Sequence, residues 1–256
     1  MNIDKLLERL SNPPIITRDY FVEKNNESRK YKEIIRVVRD DLLECGTKQR
    51  AIIQTLKNID NSGFVYAGPA NGYSQAAIAF GCYHLGKKCS IFIVSGLTEF
   101  RPTTIARNYG ANINSIKGSL KDVQDEAILF AENNGYYYLE FGLDIDIFKI
   151  NLKLALSSVL FDRDSYTGTI WLAVGSGTLL SILLELYPNA KFSAVIVGKE
   201  YKTNNSRVKI YKAPEKFYDP AKVIPPYNSE ITYDAKVWSI VVSNARGGDM
   251  IWNVAG

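Results

Sequence analysis

The chain of 256 residues has a single histidine, three cysteines and two methionines. One histidine leaves no His-rich metal site, and any Ser–His or Cys–His catalytic pair would have to be built around His84 alone. That residue sits in CYHLGKK, at the end of a predicted helix, where packing or surface exposure is its ordinary role. Cys45, Cys82 and Cys89 make no CxxC pair and no zinc spacing, and an odd, low count suits a reducing compartment. Charge of one sign is also scarce. The 31 Lys and Arg are interleaved with 27 Asp and Glu, for a net charge of +4. No basic block marks a nucleic-acid tail, and the balance supports only a weak preference for anionic ligands. The apolar run TIWLAV falls well short of the about 20 residues that span a bilayer. The opening MNIDKLLERL lacks the apolar core of a signal segment. The expectation is a soluble, cytoplasmic protein with no membrane partner, no metal and no clear nucleic-acid site. No internal repeat or low-complexity tract is present.

What is there is a substantial core: 46% of residues are hydrophobic, enough for one large or two small domains. Residues 1–35 are polar, carry the Pro13-Pro14 break and read as an arm or short helices packed outside. From there, buried strand patterns and helical periodicities alternate. IIRVVRDDL is followed by GTKQRAIIQTLKNI, GFVYAG by SQAAIAFGCYHLG, CSIFIVSG by TTIARNYGA, and ANINSIKG by LKDVQDEAILFAENNG. Then come YYYLEFGLD, IFKINLKLALSSVLFD, the strand–turn–helix TIWLAVGSGTLLSILLELYPNA, and FSAVIVGKE. Residues 201–233 read as loop, DAKVWSIVVSNA as a helix and DMIWNVAG as a last strand. Alternation of this kind predicts an α/β fold, doubly wound, with mostly parallel sheets and helices on both faces. Ligands in such folds sit just beyond the carboxyl ends of strands, so the turns there are the places to look.

Three of these turns carry chemistry. In RDDLLECGTKQR, Lys48 stands at the mouth of a helix after a strand and a glycine turn. A Schiff-base lysine must be neutral to attack an aldehyde, and burial, Arg50 and the helix's positive end all favour the neutral amine. A lone lysine at a helix start is, equally, an ordinary exposed side chain. In AGPANGYSQ, strand, glycine turn and helix start leave backbone N–H groups aimed at one spot, a ready carboxylate site, and Asn71 can hydrogen-bond a phenolic oxygen. Asn-Gly is also common in plain turns. In VGSGTL, Gly175 and Gly177 let the backbone approach an anion, and Ser176 and Thr178 add hydroxyls at the start of the next helix.

In this order the three segments resemble the fold type II pyridoxal 5′-phosphate (PLP) enzymes, the tryptophan synthase β-like superfamily. RDDLLECGTKQRA looks most like the 1-aminocyclopropane-1-carboxylate deaminase and D-cysteine desulfhydrase branch. FGCYHLGKKCSIFI and ARNYGANI are similar to further segments of that family, and the likeness covers residues 36–200. The resemblance implies that Lys48 is the Schiff-base lysine and general base, and that Asn71 bonds the cofactor's ring oxygen. It implies that Pro69, Ala70, Gly72, Tyr73 and Ser74 grip the substrate carboxylate, and that Gly175, Ser176, Gly177 and Thr178 hold the phosphate. It leaves Asn253, near the chain's last turn, to face the pyridine nitrogen. Tyr73 is a candidate catalytic acid, as is Tyr227, with aromatic packing as the ordinary role of each. The family's serine at the head of the asparagine turn is replaced here by Gly68 or Pro69.

The resemblance further implies a PLP-binding larger domain at 36–62 and 140–256, a smaller substrate-gripping subdomain at 63–139, and a homodimer. The expected activity is elimination, deamination or β-replacement on a small amino acid or amine. Alternatives are a PLP enzyme that modifies an amino acid attached to a larger molecule such as a nucleotide, and a non-catalytic binding protein on the same fold. A third is a Rossmann dinucleotide-binding protein, for which AVGSGTLLS supplies two of three fingerprint glycines and Glu200 a ribose contact.

Overall fold

The computed structural model describes residues 7, 9–26, 29–96, 99–160, 162–198 and 200–256. Residues 1–6, read as part of an outer arm, lie outside the described residues. The chain divides into two compact units, one made of residues 1–13 and 48–158, the other of residues 14–47 and 159–256.

The second unit is built on a six-stranded sheet. Its strands are β1 (Thr17–Asn26), β2 (Arg29–Arg39), β7 (Thr169–Val174), β8 (Lys191–Ile196), β9 (Val208–Lys212) and β10 (Met250–Asn253), in the order β1-β2-β10-β7-β8-β9. All neighbours are parallel except β1 and β2, which form an antiparallel pair at one edge. The polar stretch read as an outer arm is therefore mostly sheet. The reason is a two-residue period hidden by charge. Val22 points into the core, while Asp19, Phe21 and Glu23 face out opposite Arg36, Ile34 and Lys32. A strand with one wet face can carry that many charges without leaving the sheet. The buried side chains Ile35, Val37, Trp171, Val195 and Ile251 form the core with helix α7 (Lys236–Asn244); helix α6 (Thr178–Leu186) follows β7. Strand β9 falls inside the stretch read as loop. It is a short outer strand whose Lys209, Ile210 and Lys212 are exposed, so no apolar alternation announces it.

The first unit holds a four-stranded, all-parallel sheet in the order β5-β4-β3-β6. Its strands are β3 (Gly63–Ala67), β4 (Lys88–Val94), β5 (Asn112–Ile116) and β6 (Tyr137–Leu139). Helices α1 (Gln49–Asn58), α2 (Tyr73–Leu85), α3 (Arg101–Asn108), α4 (Leu120–Asn134) and α5 (Asp146–Val159) belong to this unit. Val65, Ala67 and Phe92 pack with Val123, Ala127 and Ala131 of α4. Helix α2 ends where its sequence stops it, at Gly86 in the left-handed conformation. His84 lies in an aromatic cluster, 4.6 Å from the Phe80 ring and 6.1 Å from that of Tyr109, the packing role expected of it. No helix among the described residues is long and apolar enough to cross a membrane.

Candidate active site

In the second unit, β2 delivers the segment that leads to Lys48. Arg39 and Asp41, both buried, form a two-pronged ion pair with Nε to Oδ1 and Nη2 to Oδ2 both 2.7 Å, and Arg39 Nη1 donates to the Tyr20 hydroxyl at 2.7 Å. The hydrogen bond to Asp41 raises the Arg39 pKa further, so the guanidinium stays charged. Thr47 Oγ1 donates to Asp40 Oδ2 (2.8 Å) and accepts from Trp252 Nε1 (3.0 Å), while Thr47 N–H donates to the Val254 carbonyl (3.0 Å). Gly46 has φ +66°, and a Cβ there would stand 2.5 Å from the Val254 oxygen. The residue just before Lys48 is thus held from three directions, which gives the RDD and GTK letters a structural reason. Lys48 itself is half-buried, in the tight turn that opens α1.

The glycine turn after β7 lies at the same carboxyl edge, with β10 between it and β2. The chain runs from β7 to β8 and β9 in one direction and returns as β10 on the other side of β7. The turn 175–178 therefore sits at a topological switch point, where α/β sheets bind ligands. Gly177 adopts φ +88° and leaves the start of α6 without a side-chain cap; Ser176 Oγ and Thr178 Oγ1 lie 3.0 Å apart. Hydroxyls, uncapped amides and the positive end of a helix, with no carboxylate in the turn, are a donor set that fits a terminal phosphate. Two tyrosines brace it. The Tyr233 hydroxyl lies 2.9 Å from where a Gly175 Cβ would be, and the Tyr201 ring lies directly against Gly177.

Beside it, Asn253 is buried and holds the 228–229 turn: Ser229 Oγ donates to Oδ1 (2.7 Å) and Nδ2 donates to the Asn228 carbonyl (2.8 Å). The buried carboxylate Asp234 accepts from Ala255 N–H at 3.1 Å. Tyr227 packs on Tyr20, Trp238 and Arg39 at 4.9, 5.6 and 5.7 Å, and burial raises its pKa well above the ordinary tyrosine value. Glu200, the ribose contact of a dinucleotide reading, is exposed and pairs with Lys202 at 3.3 Å.

In the first unit, the asparagine turn follows β3. There the chain passes from β3 to β4 and β5 and comes back as β6 on the opposite side of β3, so this turn too lies at the switch point of its own sheet. Pro69–Gly72 is a tight turn closed by Gly72 N–H to the Pro69 carbonyl (2.9 Å), and α2 starts at Tyr73 with no side-chain cap on Gly72. Ala70, Asn71, Tyr73 and Ser74 are all buried. Gly68 has a steric reason: a Cβ there would stand 2.6 Å from the Tyr66 hydroxyl and ring. Tyr66, buried beneath the turn, bonds Ser74 and the Gly142 N–H, and burial raises its pKa. A cavity of about 110 Å³ lies behind the turn, walled by Ala70, Thr103, Val94 and Ser115.

Sequence reading missed Thr47, Gln75, Tyr201, Tyr233 and Asp234. Tyr201 and Tyr233 are two among sixteen tyrosines, and only the fold sets them on the glycine turn. Asp40 and Thr47, seven residues apart inside a segment already singled out, were within reach.

No family model matches the chain, and no curated protein matches it by sequence. Solved structures do match. An ACC deaminase homologue superposes with a TM-score of 0.71 at 14% identity, over 99% of this chain and 94% of that one. O-ureido-L-serine synthase gives 0.70 at 12% identity, over 97% and 90%. A hydrogen sulfide-producing enzyme from Fusobacterium nucleatum gives 0.64 at 13%, over 98% and 88%. The architecture is fold type II.

Proposed function

We propose that this chain is a PLP-dependent enzyme acting at the α- or β-carbon of a small amino acid, by elimination, deamination or β-replacement. The observation that carries this reading is the placement of two independently suspected turns, 68–74 and 175–178, at the switch points of their respective sheets. PLP, when bound, supplies an electron sink for a carbanion at the substrate's α-carbon.

The chain's own residues do the rest. Gly175, Ser176, Gly177 and Thr178 would hold the phosphate through backbone N–H groups and two hydroxyls. Lys48 would be the attachment amine and the base that moves the substrate's α-proton. Asn71 would donate to the cofactor's ring oxygen. Pro69, Ala70, Gly72, Tyr73 and Ser74 shape the seat for the substrate carboxylate at the uncapped start of α2, with Tyr73 as a second acid. Asn253 would be the residue on the side of the ring nitrogen. The reading takes residues 63–139 as the substrate-gripping part and the six-stranded sheet as the cofactor-binding part. It also takes the protein as a cytoplasmic homodimer, which sedimentation at several concentrations checks.

The deciding experiment is the visible spectrum of purified protein given PLP. Wild type should show the absorption band of a lysine-bound cofactor, perturbed by at least one amino acid. Lys48→Ala, folded as judged by circular dichroism, should lack the band. A Lys48→Ala protein that keeps it would overturn the assignment.

A further inference from the structure

A turn presents carbonyl oxygens as readily as N–H groups, and a carboxylate approaching the wrong ones is repelled. What turns 69–72 into an anion seat must therefore include something that holds its carbonyls back. Gln75 is that group. It lies in the first turn of α2 and is 0% exposed, although nothing in its amide profits from burial by itself. Its Nε2 has two hydrogens to donate, and two turn carbonyls lie within reach of it: Ala70 at 2.6 Å and Pro69 at 3.4 Å. A second clamp comes from the next helix. Thr103, 1% exposed at the start of α3, donates its hydroxyl hydrogen to the same Ala70 carbonyl at 3.0 Å and stands 3.3 Å from Gln75 Oε1. With the Ala70 carbonyl held by Gln75 and Thr103, and that of Pro69 by Gly72 N–H (2.9 Å) and secondarily by Gln75, the outer side of the turn is left to the remaining N–H groups and to the uncapped end of α2.

We propose that Gln75, backed by Thr103, is a positioning residue that gives the site its selectivity for substrates bearing an α-carboxylate. The inference rests on the function proposed above. It adds that the chain discriminates amino acids from the corresponding bare amines through a side chain that touches neither substrate nor cofactor. Gln75→Met keeps the length of the side chain and removes both donors. Thr103→Val keeps the shape and removes one.

The test titrates PLP-loaded protein with L- and D-alanine and L- and D-serine, and in parallel with ethylamine and ethanolamine, reading perturbation of the visible band. In wild type the amino acids should bind more tightly than the amines. In Gln75→Met the amino acids should weaken roughly ten-fold, the scale of one lost hydrogen bond, with amine binding and PLP affinity unchanged. Thr103→Val should move the same way by a smaller factor, and it carries the test if Gln75→Met does not fold. A variant that keeps the wild-type preference for amino acids overturns the inference, as does parallel weakening of amines and amino acids, the mark of a merely structural role. Either result leaves the PLP band intact. Absence of that band in wild type is instead the failure of the function itself.

Discussion

Gly177 shows how one position answers to two demands. Its φ of +88° is one that L side chains rarely adopt, and a Cβ there would run into the Tyr201 ring. The first demand is legible from letters, because G-S-G-T before an apolar helix is an anion turn. The second is not, because Tyr201 arrives from a loop more than twenty residues downstream. Gly177→Ala should therefore cost about 1–3 kcal/mol of stability from backbone strain and the ring contact, read from urea unfolding. It should also raise the dissociation constant for PLP in an absorbance titration. A variant as stable as wild type would mean that Tyr201 does not press on the turn. Gly68 answers to a nearer neighbour: a Cβ there would meet the hydroxyl and ring of Tyr66, two residues before it.

Among the elements, α1 and α2 meet at Gly81. A Cβ there would stand 2.8 Å from Leu56 Cδ1 and 3.3 Å from Ile52 Cγ1, both side chains fully buried. In an exposed helix, Gly→Ala gains about 1 kcal/mol. Here overpacking works against that gain by about 1–3 kcal/mol, so Gly81→Ala should be destabilising on balance. Leu56→Ala in the same chain should recover part of the added penalty, so a double-mutant cycle by urea unfolding should show coupling between the two sites. Strictly additive changes would show that the helices do not touch at this point. The helices and central strands were readable because their apolar residues recur at a fixed period. The outer strands were not. β1 and β9 each leave apolar side chains exposed and carry charges, so their pattern looks like that of polar loop until pairing partners are known.

Across the whole molecule, tyrosine sets a limit on alkaline stability. Burial pushes the hydroxyls of Tyr138 and Tyr187 up to about 12, and those of Tyr66, Tyr166, Tyr227 and Tyr233 are raised for the same leading reason. An unfolded tyrosine releases its proton near pH 10. Above that pH the unfolded chain binds fewer protons than the folded one, so stability falls as pH rises. The stability these groups contribute is fully present below about pH 10 and is lost as pH rises toward about 12. The urea midpoint should hold steady up to about pH 9 and drop steeply at about pH 11. Ultraviolet titration should show exposed tyrosines ionising first and the buried group ionising with unfolding. A single smooth titration of all sixteen near the ordinary value would contradict the burial described.

By itself the sequence determined the alternation of strand and helix and the three chemically suggestive turns. Those are written in consecutive residues, where backbone freedom, hydroxyls and helix starts act locally. Strand order was decided only by tertiary structure, and with it the fact that turns 68–72 and 175–178 fall at switch points. So were the bracing of Gly175 and Gly177 by two tyrosines, the pinning of Thr47 by Trp252 and the withdrawal of the Ala70 carbonyl by Gln75 and Thr103. Each of these depends on groups brought side by side by β-pairing and core packing between distant stretches of chain, and no local pattern of residues encodes which distant stretch will arrive.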